Sequence, residues 1–319
     1  MTIPIHHLSF HCRWTTDARL PGYLGSTLRG AFGWGLKHCA CMLKQQKCPT
    51  CVLNTACAYA VLFATEQYER KEYGGAVNAR PHPLVFQPNN QGAIVGREGE
   101  NWDFSLLVIG HARDFLSHII YSVKTMGEVG IGVGAKQGLG RFTLEKATAD
   151  GTTVFDAETG QLNNTVAARS LALGEAKEDV CRLRVRLRTP LRLKQENRLQ
   201  TALPFHVLVR AVLRRISALE SAYGQGEPAL DYRGLVRRAE EVRLEESTLR
   251  WHDLLRYSNR QQQKVSLSGL TGTAVYSGDL GEFVPLLDYA RQVHVGKQTL
   301  FGLGRMEIEL SEITRRENQ

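Results

Sequence analysis

The stretch VGKQTLFGLGRMEIE, residues 295–309, joins a glycine-rich segment ending in Gly-Leu-Gly-Arg to an alternating, strand-like sequence. A near copy, VGAKQGLGRFTLE, occupies residues 133–145. In both copies a lysine follows the first glycine within two residues, a helix-like stretch precedes, and a strand-like stretch follows. The first and second glycines lie two residues further apart in the second copy than in the first. A repeat this specific predicts an internal duplication, and therefore two halves that are built alike.

The residue types in these two segments, here called the first Gly-loop (133–141) and the second Gly-loop (295–305), indicate contact with phosphate. Glycine lets backbone N–H groups approach an anion, and lysine and arginine neutralise it. The order helix, loop, strand is the reverse of a P-loop, and neither GxxxxGK[ST] nor GxGxxG occurs in the chain. We therefore predict that each of the two segments contacts an anionic polymer. The alternative is that both segments are only tight turns. The candidate residues are Gly134, Lys136, Gly138, Gly140 and Arg141 in the first loop, and Gly296, Lys297, Gly302, Gly304 and Arg305 in the second.

The hydrophobic periodicity predicts the same order of elements in each half. Residues 180–194 alternate like a strand, and residues 205–223 place valine, leucine and isoleucine on one helical face, whereas 65–100 are polar and assigned to loop. Each half thus has a strand, a helix, further strands, a helix, the Gly-loop and a last strand, which is the βαββαβ order of a ferredoxin-like domain. We predict an α+β fold with tandem ferredoxin-like domains at 1–165 and 180–319, the first carrying a cysteine-rich, metal-binding insertion.

The formal net charge of +8 is concentrated in one part of the chain. Residues 182–264 hold 18 Lys and Arg against 9 Asp and Glu, and the remainder is nearly neutral. A local surplus favours nucleic acid as the partner, because cations that meet phosphates together release counterions together. Within this segment Arg256 and Arg260 flank a polar loop that is a candidate to reach an RNA stem. The alternative is a solvated basic face.

The sequence disfavours a membrane partner and a secreted protein. No stretch approaches the length of a membrane-spanning helix, and the first residues lack the apolar segment of a signal peptide. Seven cysteines, five of them within 39–57, do not resemble a secreted disulfide framework. We expect a cytoplasmic protein with no membrane partner.

The cysteines between residues 39 and 59 have the spacing of a metal site. Cys41, Cys48, Cys51 and Cys57 follow the pattern C-x6-C-x2-C-x5-C, and thiolates at such short spacings suit tetrahedral Zn²⁺. An iron–sulfur cluster and free buried cysteines are the alternatives. Four thiolate ligands leave no open position, so the ion would be structural. Cys39 is a spare, since helical periodicity places it on an apolar face.

Several segments together resemble a known family. The chain is similar to the RAMP superfamily of CRISPR-associated RNA-binding proteins, and more closely to its pre-CRISPR-RNA processing endoribonucleases. The resemblance implies metal-independent cutting within the repeats of a long transcript, with a 2′,3′-cyclic phosphate and a 5′-hydroxyl as products. The matching pieces are LRGAFGWGLKHCAC (28–41), the cysteine segment through CAYAVLF (57–63), RTPLRLK (188–194), WHDLLRYSNRQQ (251–262) and HVGKQTLFGLGR (294–305).

The implied chemistry selects candidate catalytic residues. A base must take the proton of the 2′-hydroxyl and an acid must protonate the departing 5′-oxygen, and histidine suits both because its pKa lies near neutrality. Proteins of this kind often place a histidine on or just after the first helix, which here is His38; packing against Trp34 or flanking the metal site is the alternative reading. The accompanying candidates are Tyr23 and Lys44 at the scissile phosphate and Arg29 and Lys37 as RNA contacts. His294, directly before the second Gly-loop, is a candidate RNA contact and a rival catalytic residue, with a structural role as the remaining alternative.

Two rival functions remain beside the CRISPR repeat endoribonuclease. The same fold retaining RNA without cutting it would be a subunit of an RNA-guided effector complex. Alternatively, the cysteine segment contacts a protein partner and RNA binding is incidental.

Overall fold

The computed structural model describes residues 2–44, 46–65, 80–88, 92–195, 198–258 and 263–312. The chain divides into two compact units. The N-terminal unit is Ile3–Ser170, and the C-terminal unit is Leu171–Gln319 together with Met1–Thr2.

The N-terminal unit contains an antiparallel sheet with helices packed beside it. Its elements are β1 (Ile3–Trp14), β2 (Ala18–Leu20), α1 (Gly25–Ala40), α2 (Ala58–Leu62), β3 (Leu84–Pro88), β4 (Ile94–Gly96), β5 (Asn101–Ile109), α3 (Leu116–Val129), β6 (Phe142–Ala149), β7 (Thr152–Asp156) and β8 (Arg169–Leu171). The main strands lie in the order β3-β5-β1-β6-β7, each antiparallel to its neighbours. Helix α1 packs against α3, and α3 packs against β6.

The C-terminal unit repeats this plan. Its elements are β9 (Val180–Leu191), β10 (Lys194–Gln195), β11 (Arg198–Leu199), α4 (Phe205–Tyr223), α5 (Tyr232–Ala239), β12 (Arg243–Ser247), β13 (Arg250–His252), β14 (Leu255–Ser258), β15 (Gln263–Ser266), β16 (Gly269–Ser277), α6 (Val284–Val293) and β17 (Met306–Glu312). The sheet order is β12-β16-β9-β17, again antiparallel, and α4 packs against α6. Strands β14 and β15 form a separate hairpin.

Both sheets place the strands of a βαββαβ unit in the order second, third, first, fourth, which is the ferredoxin-like arrangement. The predicted tandem ferredoxin-like fold is therefore confirmed. The cause is visible in β1, where Leu8, Phe10 and Cys12 are buried and the residues between them are partly exposed, so one face of the sheet joins the core. Phe10 stacks on Phe104 of β5 with ring centroids 4.8 Å apart.

Two sequence-based assignments differ from the structure. The segment 65–100, assigned to loop, contains β3 and β4; β3 is a short apolar run ending at Pro88, and it pairs with β5 through non-local contacts that periodicity does not reveal. The sequence also predicts a single strand near 242–257, but the structure has three short strands there, because the pairing partner changes from β16 to the β15 hairpin strand.

Candidate RNA interface

The two Gly-loops follow the same backbone path. In each loop together with the few residues before it, five residues have positive φ, and the two sets correspond at one constant separation along the chain: Gly130, Gly132, Gly134, Gly138 and Gly140 match His294, Gly296, Gln298, Gly302 and Gly304. The two-residue difference inferred from the glycine spacing is therefore wrong. The position of Gly134 is taken by Gln298, which adopts the left-handed conformation at φ 65° without being glycine.

Equivalent hydrogen bonds anchor both loops to the end of the first strand of their own unit. In each loop the same three N–H groups donate, one to a carbonyl across the loop, one to a carbonyl near that strand end and one to a threonine hydroxyl. The bonds are Ile131 to Gly140 (2.9 Å), Val133 to Arg19 (2.9 Å) and Arg141 to Thr16 Oγ1 (3.0 Å), matched by Val295 to Gly304 (3.0 Å), Lys297 to Arg192 (2.9 Å) and Arg305 to Thr189 Oγ1 (2.9 Å).

The last glycines of the loops are required by the chain's own backbone. A Cβ at Gly140 would overlap the carbonyl oxygen of Ile131, and one at Gly304 would overlap that of Val295. Gly302 and Gly304 are also buried. Their predicted contact with RNA therefore finds no exposed backbone to act through, and their role in this structure is to close the loop.

The side chains of the loops differ in exposure. Lys136 and Arg141 of the first loop and Lys297 of the second are exposed, whereas Arg305 is half-buried. These four cations remain candidates for phosphate contact.

The side chain of His294, the residue before the second Gly-loop, is buried against that loop. Its side chain is 1% exposed, and its Nδ1 is 3.2 Å from the carbonyl oxygen of Leu303. Burial lowers the pKa of His294 to about 3, so the ring is neutral at physiological pH. This placement corrects the prediction that His294 contacts RNA, because its ring closes the loop from within. Arg215, also buried, donates to the carbonyl oxygens of Val293 and His294 and so completes the end of α6.

Helix α1 presents an aromatic and basic surface near its C-terminal end. Gly35 packs on the backbone of Ser122 in α3, so the opposite side of α1 is left to solvent. Trp34 is 50% exposed, and the imidazole of His38 stacks on its indole with centroids 5.2 Å apart and planes 13° apart. Both predicted residues Lys37 and His38 are exposed. The sequence analysis considered Trp34 only as a packing partner of His38. Their i, i+4 spacing on the polar face of α1 could have predicted that the two rings share an exposed surface.

The other predicted residues near α1 have distinct surroundings. Tyr23 is half-buried directly before the helix, and burial raises the pKa of its phenol, which therefore stays protonated. Lys44 is exposed in the cysteine segment. The Arg29 guanidinium lies 4.1 Å from the ring centroid of Phe63, so its cation already contacts an aromatic face.

The β14–β15 hairpin is attached to the second Gly-loop. The guanidinium of Arg256 lies 4.8 Å from the ring centroid of Phe301, and desolvation lowers the pKa of Arg256. Arg260, the other predicted hairpin residue, lies outside the described residues. The hairpin is thus held beside the loop by a cation–π contact.

Ion pairs occupy part of the basic surplus in the C-terminal unit. Arg182, Arg188 and Arg238 each pair with a carboxylate at 2.6 Å: the partners are Glu246, Glu307 and Glu282. The Lys and Arg count of residues 182–264 therefore overstates the charge that this segment offers to RNA.

The predicted metal ligands Cys41, Cys48, Cys51 and Cys57 line one common cavity.

Known proteins match both halves of the chain. The family model for CRISPR-associated endoribonuclease Cas6 matches residues 185–306, and a second model, that of an N-terminal domain, matches residues 3–167. An uncharacterised protein of Archaeoglobus fulgidus is 30% identical over 295 residues, which cover 91% of this chain and 92% of that protein.

Solved structures share the fold. Thermus thermophilus Cas6, also solved as a product complex, has a TM-score of 0.54 at 14% identity, covering 97% of this chain and 100% of its own. The Cas6-containing chain of a partial Cas6-RT-Cas1–Cas2 complex has a TM-score of 0.55 at 14% identity, over 97% of this chain; this chain spans 46% of its length.

Tandem ferredoxin-like units are the fold that this chain shares with these solved structures. With the Cas6 endoribonuclease model matched over its C-terminal half, the chain belongs to the CRISPR-associated, RAMP-type processing family. Among the helices that the structure describes, none has the length and apolar character needed to cross a membrane.

Proposed function

We propose that this protein cuts CRISPR repeat transcripts into guide RNAs without a catalytic metal, and that His38 transfers protons at the cut. The single observation that carries this proposal is the exposed His38 imidazole, stacked on Trp34 beside exposed Lys37, in a chain of the Cas6 family. An exposed histidine between an aromatic surface and a cation has what RNA cleavage needs: a proton carrier, a stacking face for a base, and a positive charge for phosphate.

The reaction requires no group from outside the RNA except protons. The 2′-oxygen forms a bond to phosphorus while the bond from phosphorus to the 5′-oxygen breaks, so the products are a 2′,3′-cyclic phosphate and a 5′-hydroxyl. One proton leaves the 2′-hydroxyl and one reaches the 5′-oxygen. Imidazole can take the first or give the second, and the net proton count is unchanged.

Cations and a protonated phenol would stabilise the charged phosphorus centre. Lys37 and Lys44 are exposed and carry the positive charge that a pentacoordinate phosphorane needs. Tyr23 keeps its proton, because burial raises its pKa, so it can donate a hydrogen bond to a phosphate oxygen and cannot serve as the base.

Phosphate contacts along the RNA would come from the loop cations. Lys136, Arg141 and Lys297 are exposed, and Arg305, the last residue of the second Gly-loop, is half-buried. Arg256 would contribute from the hairpin, and Arg29 would present a guanidinium already aligned with an aromatic ring. Such contacts position the RNA, whereas sequence recognition needs contacts to unpaired bases.

The related Cas6 found in a complex with RT-Cas1–Cas2 supports a second candidate. This chain would then retain repeat RNA as a subunit of a larger CRISPR assembly without cutting it.

Incubation with the cognate repeat RNA in EDTA, followed by mapping of the product ends, separates the two. Cleavage with a cyclic-phosphate end supports the endoribonuclease; tight binding of intact RNA supports the non-catalytic subunit. Circular dichroism of the same EDTA-treated sample checks that the fold persists. Loss of cutting in EDTA by a protein that stays folded would contradict metal independence.

A further inference from the structure

In the segment between α1 and α2, residues 41–57, most large apolar side chains lie in solvent instead of in a core. None of the residues whose burial is described there is fully buried, and three of its four larger aliphatic and methionine side chains point outward: Met42 is 79% exposed, Val52 78% and Leu53 42%. Four of the six half-buried residues in the segment are cysteines. A segment of this size with its apolar side chains in solvent has no hydrophobic core to hold it.

The four cysteines share one interior. Cys41, Cys48, Cys51 and Cys57 line a single cavity together with Leu43, Gln46, Asn54, Tyr59 and Ala60. None of the chain's cysteines forms a disulfide within the described residues. Seventeen residues of chain therefore fold so that all four cysteines of the C-x6-C-x2-C-x5-C pattern line the same cavity.

The fifth cysteine of the region is excluded from that cavity. Cys39 lies on α1, where its Sγ is 3.3 Å from the carbonyl oxygen of Leu36 and 3.5 Å from the hydroxyl of Ser122 in α3. The structure thus divides the five cysteines into four that face the cavity and one that packs between helices.

We propose that these four thiols bind one structural Zn²⁺, which serves as the missing core of the segment. Each thiol releases its proton to solvent and forms one sulfur–zinc bond, which gives a site of net charge −2. Lys44 and Lys47 are exposed in the segment, which contains no Asp or Glu, so the local charge complements this site.

The cavity is wider than a filled site. Within the described residues, no three Cys, His, Asp or Glu side chains lie close enough together to hold an ion. Zinc binding would therefore draw the thiols inward, in the way that metal binding and folding are coupled in small metal-binding segments.

The ion would also fix the end of α1. The Cys41 N–H donates to the carbonyl oxygen of Lys37 (3.0 Å), so the first ligand is the residue that closes the last helical turn. That turn carries Lys37 and His38. The zinc site does not depend on RNA cleavage, and it is tested without it.

Metal analysis of the full-length protein, purified without chelator, should give about one zinc per chain, as one closed four-ligand site requires. Cys48→Ser and Cys51→Ser should each lose most of that zinc, whereas the matched variant Cys39→Ser should keep it. Equal zinc loss from Cys39→Ser, or a parent protein with well under half a zinc per chain after growth in zinc, would overturn the proposal. A brown protein containing iron would overturn it in favour of a cluster.

A second measurement avoids variants that fail to fold. Titration of the parent protein with a mercurial reagent, in the presence of a zinc-sensitive dye, should release about one zinc per chain as thiols are modified. Cobalt substituted for zinc should give the intense visible absorption of a tetrahedral thiolate site. Zinc that leaves before any thiol has reacted, or a cobalt protein with a weak octahedral spectrum, would refute ligation by these cysteines.

Discussion

Replacing Gly140 by alanine tests whether the Gly-loops are held by close backbone contact. Gly140 has φ 68°, and a Cβ there would overlap the carbonyl oxygen of Ile131, which lies across the loop. Gly151 provides a matched control in the same unit: it has φ 87° in the turn between β6 and β7, and a Cβ there would meet nothing within 4 Å. Both substitutions force an L-residue into the left-handed region, but only one also creates a clash.

The expected difference in the free energy of unfolding follows from the left-handed conformation and from the clash. The left-handed conformation costs alanine roughly 1–2 kcal/mol, and this is the whole cost of Gly151→Ala. Gly140→Ala adds about 1–3 kcal/mol for displacing a packed backbone. It also strains the hydrogen bond from Ile131 N–H to the Gly140 carbonyl (2.9 Å), for about 1 kcal/mol more. The free energy of unfolding should therefore fall by about 3–6 kcal/mol in Gly140→Ala and by about 1–2 kcal/mol in Gly151→Ala.

Urea unfolding followed by circular dichroism measures this difference, with the transition of the N-terminal unit assigned by comparison with the parent. Equal losses of stability in the two variants, within about 0.5 kcal/mol, would show that the carbonyl does not constrain position 140. Gly304→Ala, whose Cβ would overlap the Val295 carbonyl oxygen, repeats the test in the C-terminal unit.

Three further predictions concern the RNA site and the second loop. His38→Ala should retain RNA binding but slow single-turnover cleavage by roughly 10²–10⁴-fold, which is the range for losing a proton-transfer group. Trp34→Ala should lower the cleavage rate more than Trp34→Phe, because phenylalanine keeps a ring beneath the imidazole. Undiminished cutting by His38→Ala would remove this residue from the site. Lys297→Ala combined with Arg305→Ala should flatten the slope of log affinity against log salt by about 1.4 on single-stranded RNA, since each lost phosphate contact contributes about 0.7; parallel slopes for variant and parent would argue against both contacts. Because the pKa of His294 is lowered to about 3 from 6.5, the unfolded chain binds a proton across that window that the folded chain does not, so the C-terminal unit should lose stability as pH falls from 6.5 towards 3. His294→Asn, in which asparagine tolerates the φ of 58°, should reduce this loss, measured by denaturant unfolding at several pH values.

The fold could be predicted because its signals are local. Alternation in β9 and the amphipathic face of α4 are properties of consecutive residues, and both elements appear in the structure with nearly the expected limits. Strand β3 was not predicted, since its identity as a strand comes from pairing with β5 instead of from its own short sequence. The match of Gln298 with Gly134 was equally hidden, because only backbone geometry reveals that both adopt the left-handed conformation.

The candidate site was predicted less completely, for the same physical reason. The family resemblance proposed His38 as the proton carrier, but its stacking on Trp34 depends on which helical face remains uncovered. The burial of His294 depends on Leu303 folding back over the loop. The basic surplus counted from the sequence ignored cross-strand pairs such as Arg188 with Glu307, whose partners lie far apart along the chain.

The duplicated loops indicate that the backbone path and the contact surface are determined by different residues. The left-handed positions and the anchoring hydrogen bonds are the same in both loops, whereas the burial of an equivalent apolar side chain differs: Leu139 is 37% exposed in the first loop, and Leu303 is 0% exposed in the second. Since the anchors hold the backbone whatever these side chains contact, the two loops can serve different surfaces. A glycine variant that loses RNA binding should therefore also lose stability, while a variant of Lys136 or Lys297 should lose binding alone. Measuring both quantities on each variant distinguishes residues that build the loop from residues that contact RNA, and a glycine variant of full stability with impaired binding would contradict this division.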